Sequence, residues 1–135
     1  MARFTIFLLL CTALLAAAPA RADSAPRLRV VVVLDRSGSM TKNDPDLLAR
    51  LAARLLVDLS DQRDEVTLIR FGTDARVVAR GKGGSPALAS ALDQVTPDEK
   101  CTDYALGLER AGGAFAGAPA KGERRLVVFL TDGKL

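Results

Sequence analysis

Arg29-Val30-Val31-Val32-Val33-Leu34 is a continuous, mostly β-branched run, and it limits what this chain can fold into more than any other segment. A strand with one wet face alternates apolar and polar residues. This run has no polar position from Val30 to Leu34, so it reads as a central strand buried on both faces. Such a strand belongs in an open sheet with helices packed on either side. The run ends at Asp35-Arg36-Ser37-Gly38-Ser39-Met40, which reads as a loop.

The rest of the chain fits that frame. Asp44-Pro45 supplies an N-cap and a first helical position, and Leu48, Leu51, Ala52, Leu55, Leu56 and Leu59 keep helical spacing, predicting an amphipathic helix over residues 45–60. Val66 to Phe71 and Arg76 to Arg80 read as strands separated only by Gly72-Thr73-Asp74-Ala75. A connection that short permits an antiparallel hairpin and no parallel crossover. Gly81-Lys82-Gly83-Gly84 reads as a flexible turn, and Ser85-Pro86 opens a short helix bearing Leu88, Leu92 and Val95. Asp103 to about Phe115 reads as a further helix. Leu126 to Leu130 is a second strand of the buried type, leading into Thr131-Asp132-Gly133. The pattern is α/β with a mostly parallel sheet.

Residues 1–22 stand apart from the fold. Met1-Ala2-Arg3 is a short basic start, Phe4 to Ala18 is uncharged and mostly apolar, and small-residue cleavage patterns follow at Ala18-Pro19-Ala20 and Ala20-Arg21-Ala22. This is the layout of a Sec-type signal peptide. The apolar run is shorter than the roughly 20 residues that span a bilayer, which disfavours an anchor. Leu10 before Cys11 disfavours a lipoprotein. The expectation is export to a periplasmic or extracellular location, a polar lead-in over residues 23–28, and a domain over 29–135.

Charge and residue usage exclude several functions. The net charge is +3, and removal of Arg3 and Arg21 leaves the remaining Lys and Arg almost balanced by the 16 acidic residues. Nothing there argues for nucleic acid or an anionic membrane surface as partner. The chain contains no histidine, which excludes Ser-His-Asp and Cys-His catalysis and any imidazole metal site. Export also removes Cys11 and leaves Cys101 alone, without an intrachain disulfide.

Asp35-x-Ser37-x-Ser39 is the sharpest chemical signal. On an extended segment the positions i, i+2 and i+4 project to one side, here just past the carboxyl end of a central strand. That edge of an open α/β sheet is where ligands bind. Carboxylate and hydroxyl oxygens suit a hard cation such as Mg²⁺. Taken alone, the motif serves equally well as a turn and cap. Thr102-Asp103 at a helix start and Thr131-Asp132-Gly133 at a strand end supply further oxygens that the same sheet edge can gather.

Asp-Arg-Ser-Gly-Ser-Met, the Thr-Asp pair and Leu-Thr-Asp-Gly, in this order and spacing, closely resemble the von Willebrand factor type A (vWA) family over residues 29–135. The resemblance implies a Rossmann-like vWA fold, with sheet order 3-2-1-4, strand 3 antiparallel, and helices on both faces. It further implies a metal-ion-dependent adhesion site. There the hydroxyls of Ser37, Ser39 and Thr102 bind Mg²⁺ (Mn²⁺ or Ca²⁺ as alternatives), and Asp35 and Asp132 act directly or through water. A partner protein's Asp or Glu completes the coordination, so the implied function is metal-dependent protein binding, as in adhesion or assembly, and not an enzyme. Two departures stand out. Cys101 occupies a position where the family more often has glycine. The chain also stops at Leu135, short of the family's last strands and helices, so a fragment with Leu126–Leu130 as an exposed edge strand is expected.

Two other readings compete. A Mg²⁺-dependent phosphotransfer or hydrolytic enzyme could use Asp35 as nucleophile, yet haloacid-dehalogenase-like enzymes want a second Asp where this chain has Ser37, and no histidine base exists. The other is a truncated remnant that binds no metal.

Overall fold

The computed structural model describes residues 28–97 and 100–133. The expected export segment, and the lead-in up to residue 27, lie outside the described residues.

Strand β1 (Leu28–Asp35) has six consecutive buried residues, Val30 to Asp35, as the apolar run requires. Strands β2 (Glu65–Phe71) and β4 (Arg124–Leu130) flank it in parallel, and β3 (Ala75–Lys82) pairs antiparallel with β2. The sheet order is β3-β2-β1-β4, the order and polarity that the family resemblance implies.

Side chains alternate along β1, so each face of the sheet has its own core. Val30, Val32 and Leu34 pack with Leu68, Ala53 and Val57 of helix α2 (Leu48–Leu59), and with Leu88 and Leu92 of α3 (Pro86–Asp93). Val31 and Val33 pack on the other face with Ile69, Phe71, and Ala111 and Ala114 of α4 (Tyr104–Ala114). Each fully buried valine or leucine contributes about 1.5–3 kcal/mol by leaving water.

Several local expectations need correction. The segment read as loop after Asp35 forms a short helix, α1 (Gly38–Asn43). Gly38, Ser39, Thr41 and Asn43 are poor helix formers, and the one buried residue, Met40, supplies a tertiary anchor that propensity does not show. The next helix begins at Leu48, later than expected, because Leu47 adopts a left-handed φ of 56°. Asp44 caps it nonetheless, its carboxylate oxygens accepting from the N–H groups of Leu48 (2.6 Å) and Ala49 (2.9 Å). The leucine stripe of α2 is not its inward face. Ala53 and Val57 are buried, while Leu48, Leu51, Leu55 and Leu59 are more than half exposed. Leu55, Leu56 and Leu59 instead line an open apolar groove with Leu28, Val30 and Leu126.

Gly83 is buried and anchored, where the sequence suggested a flexible turn. A Cβ there would stand 2.4 Å from the carbonyl oxygens of Ser60 and Asp61. The neighbouring Gly84 N–H donates to the Val57 carbonyl at 2.8 Å. Strand β4 lies at the sheet edge, with Leu126 and Val127 exposed. Among the described residues no helix is long and apolar enough to cross a membrane.

The amino end of β1 sits in a row of charges. Arg29 lies opposite Glu65 on β2, which faces Lys82 on β3, and opposite Arg125 on β4. Glu65 pairs with Arg29 and Lys82, each at 3.3 Å, and Glu123 with Arg125 at 2.8 Å.

Candidate functional site

Three of the four strands, β1, β2 and β4, run in parallel, and their carboxyl ends converge on one edge. Asp35 ends β1 and is 4% exposed, and Ser37 is 2% exposed. The Ser37 backbone N–H donates to Asp35 Oδ1 at 2.7 Å, folding the chain back on its own carboxylate. The Ser37 and Ser39 hydroxyls then meet at 3.0 Å. One turn of backbone thus groups a carboxylate and two hydroxyls.

The ends of β2 and β4 close on this group. The Arg36 N–H donates to the Phe71 carbonyl at 2.8 Å, continuing the β1–β2 pairing past Asp35. One residue on, the Gly72 carbonyl accepts from the Asp103 N–H at 3.0 Å, which fixes the turn carrying Thr102 to the end of β2. Asp103 caps α4, its Oδ1 accepting from the Leu106 N–H at 3.2 Å. From the other side, the Thr131 hydroxyl just past β4 donates to Asp35 Oδ2 at 2.6 Å. Asp132 follows, and its Oδ2 accepts from the Asn43 side-chain amide at 2.6 Å.

Of the five residues singled out in the sequence, Asp35, Ser37 and Ser39 are therefore directly linked. Asp132 is tied to the end of α1 beside them. Thr102 sits at the adjoining strand end, and no hydrogen bond joins its side chain to the other four among the described residues. Cys101, its neighbour, is exposed.

The electrostatics follow from the donors. Asp35 receives a backbone amide and a hydroxyl, both neutral, and among the described residues no cation pairs with it. Its negative charge is thus held in place without being cancelled. Among the described residues no three Asp, Glu, Cys or His cluster together, so any cation here would depend on hydroxyls to fill its shell. The oxygen-only donor set fits a hard divalent ion.

Sequence reasoning missed three contributors. Thr131 lay inside a quoted motif, but only the fold shows it reaching Asp35. Asn43 carried no signal. Tyr104, the only tyrosine of the chain, has its hydroxyl 3.0 Å from Thr131 Oγ1, and its place two residues after Thr102 was the one available hint.

Comparison with known proteins agrees with this architecture. Residues 30–134 match the model of the von Willebrand factor type A domain. Among solved structures, the chain is similar to proximal thread matrix protein 1 from the mussel byssus, which has a zinc-occupied MIDAS motif (TM-score 0.63, 25% identity, 81% of this chain and 29% of that one). It is similar also to the conserved hypothetical protein BatB from Bacteroides thetaiotaomicron (0.61, 25%, 76% and 52%). The fold is shared further by a von Willebrand factor type A protein from Catenulispora acidiphila (0.61, 22%, 75% and 25%). This chain thus spans between about a quarter and a half of the length of these proteins. Among curated proteins nothing matches. The family model covers most of the chain, and the sheet order agrees with that fold: the chain belongs to the von Willebrand factor type A domain family.

Proposed function

We propose that this chain is an exported protein-binding module in which a divalent cation, held at the carboxyl edge of the sheet, bridges to an acidic residue of a partner. The observation that carries this reading is the buried Asp35 carboxylate beside the paired Ser37 and Ser39 hydroxyls, with only neutral donors on the carboxylate. In this reading Ser37, Ser39 and Thr102 offer hydroxyl oxygens to the ion, and Asp35 and Asp132 balance its charge directly or through water. Mg²⁺ suits such hard oxygens best, with Mn²⁺ or Ca²⁺ as substitutes. When bound, the ion supplies a positive centre with an incomplete shell that a partner's Asp or Glu can fill. The zinc-occupied MIDAS motif of the mussel protein supports cation binding as a property of this architecture. Export rests on the character of residues 1–22.

The hydrolytic alternative gains nothing from the geometry. Ser37 stands where a second carboxylate would be needed, and the chain has no histidine to act as base. The test is thermal unfolding with Mg²⁺, Mn²⁺, Ca²⁺ and Zn²⁺, each repeated with excess chelator. A second titration then uses a short glutamate peptide and its glutamine counterpart. The expected result is a chelator-reversible rise in melting temperature and metal-dependent binding of the glutamate peptide alone. A melting temperature indifferent to every ion, or turnover of a phosphate ester abolished by Asp35→Asn, would overturn the reading.

A further inference from the structure

The Thr131 hydroxyl has one hydrogen, and the 2.6 Å contact to Asp35 Oδ2 uses it. The 3.0 Å contact between Thr131 and Tyr104 must therefore be donated by the phenol. Thr131 Oγ1 also accepts from the Gly133 N–H at 3.1 Å. With two donors aimed at its oxygen, the threonine hydroxyl cannot turn its hydrogen elsewhere, and Asp35 keeps its second anchor. The first anchor is the Ser37 N–H on Oδ1. Both oxygens of the carboxylate are then fixed in direction.

The tyrosine is itself firmly seated. Its ring centroid lies 5.5 Å from that of Phe71 at the end of β2 and 6.1 Å from that of Phe129 near the end of β4. Phe71 and Phe129 are 4.8 Å apart. Helix α4 fits over this trio because Gly107 has no side chain, and a Cβ there would stand 2.8 Å from the Phe129 ring. Tyr104 thus connects the Thr102 turn, the Phe71 end of β2 and the Thr131 end of β4.

We propose that Tyr104 is a positioning residue for the cation site: through Thr131 it fixes the Asp35 carboxylate, and through its place at the start of α4 it couples the Thr102 turn to that carboxylate. The cation half of this inference rests on the function proposed above, whereas the hydrogen-bonded relay stands without it. Groups behind a ligand that set its direction change metal affinity by about 10–100-fold when removed.

The test is a double-mutant cycle on the full chain with Tyr104→Phe, Thr131→Val and the pair. The phenylalanine keeps the ring packing and removes only the hydroxyl. Calorimetric titration with Mn²⁺ alone should show each single variant weakened by about 10-fold, the double variant no worse than Thr131→Val, and Thr131→Ser close to wild type. Urea unfolding of the metal-free proteins should show the same non-additivity. Equal Mn²⁺ affinity in wild type and Tyr104→Phe, or effects that simply add, would overturn the relay. If the wild type takes up no Mn²⁺, the cation reading fails, and the metal-free cycle decides the relay alone: non-additive unfolding supports it and additive unfolding refutes it.

Discussion

The two ends of strand β1 are built from the same kinds of charged residue and treat them in opposite ways. At the amino end two glutamates meet cations, Glu65 between Arg29 and Lys82 and Glu123 against Arg125 and Arg29, while Asp64 accepts from the Leu28 and Asp61 backbone N–H groups. The Arg29 and Arg125 guanidiniums also lie over the Phe115 ring, at 5.9 and 5.5 Å from its centroid. At the carboxyl end Asp35 is more deeply buried than any of these, yet its anchors are an amide and two serially bonded hydroxyls. The first arrangement offsets its charges within the sheet. The second holds a charge still and leaves it available. A buried carboxylate satisfied only by neutral donors keeps its attraction for a cation, and this is the physical content of the proposed site.

Substitutions at either end can break that contrast. The largest effect is expected from Asp35→Asn, which keeps the size of the side chain and removes its charge. Divalent-ion affinity should fall by about 100-fold or more, read by calorimetry, and retention of wild-type affinity would place the ion elsewhere. Gly83→Ala perturbs the opposite end, where β3 meets the end of α2. Because a Cβ would collide with the Ser60 and Asp61 backbone, a stability loss of about 1–3 kcal/mol in urea unfolding is expected, with ion affinity unchanged. Asn43→Ala removes the amide on Asp132. It should weaken ion binding by about 10-fold and leave the unfolding midpoint nearly where it was.

The smallest effect concerns Glu123. The hydrogen bond from the Arg125 guanidinium, helped by the Ala120 N–H and the charges of Arg125 and Arg29, holds its carboxyl below the usual glutamate range. A lowered value in the folded chain means that the contribution is present above the ordinary value of about 4.3. It is lost as the pH falls through the lowered value. Glu123→Gln should therefore cost a little stability at pH 7 and nothing in strong acid, measured by urea unfolding at both pH values. A cost that persists in acid would mean that packing, not charge, is what Glu123 contributes.

The same contrast separates what could be read in the sequence from what could not. Val30 to Val33 announced a strand buried on both faces because a short, uninterrupted run of β-branched residues suits a central strand better than a helix. The short connection after Phe71 announced the antiparallel β3 because a crossover would not fit. The family resemblance named Asp35, Ser37, Ser39, Thr102 and Asp132 as a set; the fold links the first three directly and ties Asp132 to Asn43 at the end of α1. The features that were not legible depend on distant contacts. Four of the six residues from Gly38 to Asn43 are poor helix formers, and Met40 anchors helix α1 by burial. Ala53 and Val57 of α2 are buried against the sheet, whereas Leu55, Leu56 and Leu59 border an open groove beside Leu126 of β4, which a count of leucines does not show. The relay from Tyr104 through Thr131 to Asp35 joins residues 27 and 96 positions apart, a relation that only the folded sheet creates.

Calorimetric titration of Mn²⁺ into the full chain, with Ser37→Ala in parallel, tests the central claim most directly. The account predicts one ion per wild-type chain and heat strongly reduced or lost in Ser37→Ala, with both proteins unfolding at similar urea concentrations in the absence of metal. No heat from the wild type, or equal binding by both proteins, would contradict it.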